Sequence, residues 1–92
     1  MRELKTPGAF KHWLYTADHG ETALYHTGYL AIDRYKVLGD LLIPVEPLNT
    51  VAQLAMWATE DGRVILTQSR ARRGTFFYYV TKVKGKGTND LL

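Results

Sequence analysis

The sequence predicts an α+β domain in which three short helices precede a C-terminal antiparallel hairpin of two or three strands. Three observations carry that expectation. Apolar residues recur at three- and four-residue steps over Ala9–Ala17 and Val51–Glu60, the spacing of a helix with one buried stripe. The stretch RVILTQSRARRGTFFYYVTKVK, Arg63 to Lys84, places two β-prone arms around a short turn. Charge also divides at Gly62: five Lys/Arg stand against eight Asp/Glu before it, and seven against Asp90 alone after it, together the chain's net +3.

Ninety-two residues with a 46% hydrophobic share bound the chain to one domain with a modest core, placed at residues 1–84 with a polar, basic and flexible tail over 85–92. Cysteine is absent, which excludes disulfides and thiolate metal sites. No apolar run approaches the roughly 20 residues of a membrane span, and no signal-peptide pattern opens the chain. A soluble, cytoplasmic protein with no membrane partner is expected.

Along the chain, Met1–Thr6 reads as a loosely held lead-in. Pro7-Gly8 punctuates a first helix of about ten residues, whose buried stripe is Phe10, Trp13, Leu14 and Ala17; Asp18-His19-Gly20 ends it. Thr22, Leu24 and His26 alternate with Ala23 and Tyr25, so Glu21–Thr27 is expected as a strand that can join the hairpin. Tyr29–Lys36 has roughly helical spacing and gives a second helix, although the same residues can extend the strand. Pro44 and Pro47 make Val37–Leu48 a connection buried on one side. Asn49 or Thr50 then caps a third helix, Val51–Glu60, with Val51, Leu54, Ala55 and Ala58 inward. In the hairpin, Arg63–Gln68 and Thr75–Lys84 are the arms and Ser69–Gly74 the tip.

This order resembles the winged helix-turn-helix family of DNA-binding domains. The segment Leu54-Ala55-Met56-Trp57-Ala58-Thr59-Glu60-Asp61-Gly62-Arg63-Val64-Ile65-Leu66 looks like that family's exit from its third helix into the first wing strand. The resemblance implies a wing loop at Ser69–Gly74, a recognition helix with Asn49, Thr50, Gln53, Trp57 and Met56 outward, and a role in transcription regulation, often as a homodimer. The helix departs from the family pattern in carrying no Arg or Lys and ending in Glu60-Asp61. The small, Tyr- and Trp-bearing chain also resembles phage or prophage proteins.

For double-stranded DNA, Arg70, Arg72 and Arg73 are the expected phosphate contacts, joined by Lys82, Lys84 and Lys86, with Asn49, Thr50 and Gln53 on the third helix. A solvated tip and an acidic protein partner remain alternatives for the arginines. Phe76, Phe77, Tyr78 and Tyr79 split between the two faces of a strand. The outward pair can stack on bases, form a homodimer contact or bind another protein. His12, His19 and His26 match no ligand spacing, Ser69 has no neighbouring His, and no Gly-rich loop opens a helix. No cofactor, metal or enzymatic activity is expected.

Overall fold

Thr6 starts the first helix. Its hydroxyl accepts a hydrogen bond from the Ala9 N–H at 3.1 Å, which satisfies a donor that the first turn leaves without a partner, and Pro7 follows at the first helical position. A computed structural model describes residues 1–83. Its elements are α1 Pro7–Thr16, β1 Thr22–Gly28, α2 Leu30–Asp33, β2 Tyr35–Leu38, β3 Leu41–Pro44, α3 Leu48–Glu60, β4 Val64–Arg72 and β5 Thr75–Lys82. No helix among the described residues is long and apolar enough to cross a membrane.

Phe10, Trp13 and Leu14 of α1 are fully buried, as are Val51, Ala52, Ala55 and Ala58 of α3. The three small alanines leave room for the helix backbone to lie close to its neighbours. Both helices cover one face of an antiparallel sheet of order β1-β5-β4, meeting Ala23, Tyr25, Val64, Tyr78 and Val80. The buried Trp13 keeps its polar handle satisfied, since its indole N–H donates to Glu21 at 3.1 Å.

Cross-strand partners share a face, so the register also defines the other side of the sheet. Leu24 pairs with Tyr79 and Thr27 with Phe77 on β1 and β5, while Ile65, Thr67 and Ser69 of β4 pair with Thr81, Tyr79 and Phe77. Neither α1 nor α3 covers that side.

The expected winged-helix-like arrangement of three helices followed by a C-terminal hairpin is overturned. The second helix is a single turn, Leu30–Asp33. Residues 35–44, expected to continue that helix and then form a half-buried connection, instead make a second two-stranded sheet. The physical cause lies in Gly39-Asp40. Gly39 sits at the first central position of a two-residue turn with φ +64, and the flanking Leu38 and Leu41 pair directly across it. A strand pair therefore separates the two helices that a helix-turn-helix would join, and strand residues outnumber helical ones.

The lead-in is also held. Leu4 N–H donates to the Leu24 carbonyl at 2.8 Å and Leu24 N–H to the Arg2 carbonyl at 2.9 Å. That pairing sets residues 2–4 beside β1 and puts Leu4 in the core.

Candidate nucleic-acid interface

The strands of the β4–β5 hairpin run further than the sequence indicates. Ser69, Arg70 and Arg72 pair with Phe77, Phe76 and Thr75 through a bulge between Arg70 and Arg72, which leaves Arg73-Gly74 as the turn. Gly74 supplies the positive φ, +64, that closes it. Arg70, Arg72 and Arg73 are exposed together at this end. The ion pairs among the described residues lie elsewhere, at Lys5–Glu3, His26–Asp33 and Arg63–Asp61. Arg70 rests its guanidinium over the Phe76 ring, 6.0 Å from the centroid, which steadies a long side chain without neutralising it.

Beside this end, between α2 and the helix-covered face of the hairpin, opens a cleft of about 390 Å³ lined by Tyr29, Leu30, Ala31, Arg34, Gln68, Phe76 and Tyr78. Tyr29 meets Phe76 edge-on at 6.0 Å. The Tyr78 hydroxyl accepts from Leu30 N–H at 3.1 Å and ties the cleft's floor to α2. Arg34 donates from Nε and Nη2 to the Asn49 side-chain oxygen at 3.0 and 2.8 Å, so this second cation is held by a neutral amide.

The nearby acid, Asp33, faces inward toward β1. Its carboxylate takes a hydrogen bond from His26 at 2.8 Å and another from Tyr29 N–H at 2.9 Å. The His26 bond, the largest influence, holds its pKa below the ordinary carboxylate value against the opposing effect of burial, with the Tyr29 N–H and the His26 charge adding smaller support. Gly28, at φ +141, makes room for it; any Cβ there would collide with the Asp33 carboxylate. Tyr25, in the core below, has its phenol pushed up to about 12 by burial and then by Tyr78.

The remaining expected contacts are placed elsewhere. Asn49 is 6% exposed and engaged with Arg34, so it faces the core rather than a groove. It is also not a cap, because the helix begins at Leu48. Thr50 is half-buried and donates its hydroxyl to Glu46 at 2.8 Å. Gln53 is exposed on α3. Lys82 is half-buried and donates to the Leu14 carbonyl in the last turn of α1, a helix-end contact that removes it from any phosphate surface. Lys84, Lys86 and the expected tail lie outside the described residues.

Of the aromatic run, Phe76 and Tyr78 turn toward the helices while Phe77 and Tyr79 stand on the open face with centroids 6.3 Å apart. His26 is paired with Asp33, and no group of three possible metal ligands occurs among the described residues. Arg34 is the site residue that sequence reasoning missed. Its place depends on a partner fifteen positions away, which no local spacing encodes. Compared with protein-family models, curated proteins and solved structures, the chain matches none.

Proposed function

We propose that this chain binds double-stranded DNA through the basic end of the β4–β5 hairpin, gripping phosphates rather than reading bases. The observation that supports this most is the cluster Arg70, Arg72 and Arg73, exposed at one end of a sheet-backed lever with no carboxylate in ion-pairing range among the described residues. Guanidinium groups suit phosphate oxygens because their fork of donors matches two acceptors at once. Phosphate contact is favoured over base reading because, of the α3 residues expected to read bases, Asn49 is turned inward and Thr50 is already bonded, which leaves Gln53. Arg34 and the Tyr29–Phe76 pair line the cleft beside this end.

Titration of a mixed-sequence duplex tests the reading. Three phosphate contacts give a log–log salt slope near −2.7, so affinity is expected to fall about 40-fold between 50 and 200 mM salt. Binding that does not change with salt, or no binding at the lower concentration, contradicts it.

A further inference from the structure

A grip on duplex phosphates does not use the cleft beside the hairpin end. Its volume, about 390 Å³, sits at the small end of ligand sites, which run from roughly 300 to 1,000 Å³. A second cavity of about 270 Å³ shares Leu30, Gln68 and Tyr78 with it and reaches the buried Tyr25. Tyr25 is 4% exposed and Tyr78 8%. The Tyr78 hydroxyl accepts from Leu30 N–H, but among the described residues neither phenol donates its own proton. Buried hydroxyl donors in folded proteins nearly always have an acceptor, and a ligand in these cavities supplies one.

Charge around the cleft has a single sign. Arg34 stands where the β2–β3 arm, residues 35–44, leaves α2, and its carbonyl accepts from Val45 N–H at 2.7 Å. Among the described residues its side-chain bonds run from Nε and Nη2 to Asn49, which leaves Nη1 for an anion. Arg70 is opposite Phe76 in the hairpin register and Gln68 opposite Tyr78, two positions apart, so Arg70 shares the cleft's side of the sheet. No carboxylate lines either cavity, and Asp33 is turned to His26.

Tyr29 provides a flat wall. It is 45% exposed, with its ring edge-on to Phe76. Phe76 has the Arg70 guanidinium over its face, so Tyr29 is the ring with surface left for stacking.

We propose that the cleft takes one unpaired nucleotide of a DNA strand, beside the duplex that the hairpin end holds. The base stacks on Tyr29 with its polar edge toward Gln68 and the two phenols, and its phosphates lie between Arg34 and Arg70. Every base has a π-face, so the stack tolerates any sequence, and the Gln68 amide meets donors and acceptors alike. The space admits a nucleotide and not a base pair. This inference rests on the phosphate grip of Arg70, Arg72 and Arg73, and it names the kind of DNA held: a duplex that ends in, or is interrupted by, single strand.

Three labelled duplexes titrated in parallel with the full chain at low salt test it: one blunt, one with a short thymine extension, and one with an abasic extension of the same length and charge. The thymine extension is expected to bind about 10-fold tighter than the abasic one, the size of one base stacked on an aromatic ring. Tyr29→Ala is expected to bring the thymine extension down to the abasic level, and Tyr29→Phe to keep the preference. Tyr29 is exposed, so both variants keep the fold, which circular dichroism verifies. On the unmodified chain, the backbone amide NMR shifts of Leu30, Ala31 and Gln68 are expected to differ between the thymine and abasic complexes. Equal affinity for the two extensions, or amide shifts that coincide in the two complexes, overturns the cleft inference and leaves the hairpin grip standing. A preference that survives Tyr29→Ala also overturns it and moves the stack to the open-face pair Phe77 and Tyr79. Failure of all three duplexes to bind overturns the hairpin grip, and the cleft inference falls with it.

Discussion

The chain contains two hairpins built under opposite conditions. In β4–β5, strands of nine and eight residues have a third strand alongside and helices over one face, and the inward positions Val64 and Val80 are buried. In β2–β3, four-residue strands have neither, and apolar side chains project on both sides. Pairing geometry is the same in both. What differs is cover, and the difference teaches where hairpin stability comes from: backbone bonds set the register, while burial supplies the free energy.

Core substitutions should break the first region and spare the second. Trp13→Ala removes a fully buried side chain and leaves Glu21 without its indole donor, at a cost of about 3–5 kcal/mol by urea denaturation. Val80→Ala, also fully buried, is expected to cost about 2 kcal/mol, or roughly 8–16 °C in melting temperature. Asn49→Ala leaves two Arg34 donors without their acceptor at the arm's base and should cost about 1.5 kcal/mol. Hydrogen exchange should show the arm's amides opening well before those of β5. Val37→Ala, the matched partner of Val80→Ala, is expected to change stability by less than about 0.5 kcal/mol at concentrations where the protein is monomeric. A loss equal to that of Val80→Ala would mean the arm has intramolecular cover.

The smallest effect is acid dependence at the junction of the two regions. Asp33 has a folded pKa below its unfolded value of 3.8, so its contribution is complete above that pH. As pH falls, the unfolded chain takes up the proton first, and the contribution disappears as pH passes through the folded pKa. The carboxylate is more than a third exposed, which keeps the amplitude small. Denaturation midpoints of the unmodified chain and Asp33→Asn should converge below that window and differ above it.

The covered region was largely legible in the sequence, and the uncovered one was not. Phe10, Trp13 and Leu14 read as one helical stripe because a single face of α1 is buried. Val51, Ala55 and Ala58 read likewise. Thr22–Gly28 showed alternation because β1 has an inside and an outside. Tyr35–Pro44 is exposed apart from a half-buried Ile43, so its four-residue apolar runs fit a helix or a strand equally well, and the Gly-Asp turn was the remaining signal. That misreading cost the fold class, since a helix there completes a winged helix and a hairpin does not.

The site residues divide for the same reason. Arg70, Arg72 and Arg73 are neighbours in sequence and stay neighbours at a turn. Asn49 and Lys82 were assigned outward by local pattern but are claimed by Arg34 and by the Leu14 carbonyl, partners 15 and 68 positions away. Leu4, read as part of a loose leader, enters the core through hydrogen bonds to a strand twenty residues on.

The most direct test of the central claim is the salt dependence of duplex DNA binding by the Arg70→Ala, Arg72→Ala, Arg73→Ala triple variant beside the unmodified chain. The basic hairpin end as the DNA contact predicts a log–log slope reduced by about 2.7, to near zero, with the melting temperature unchanged. A folded triple variant that keeps the unmodified slope and affinity would contradict it.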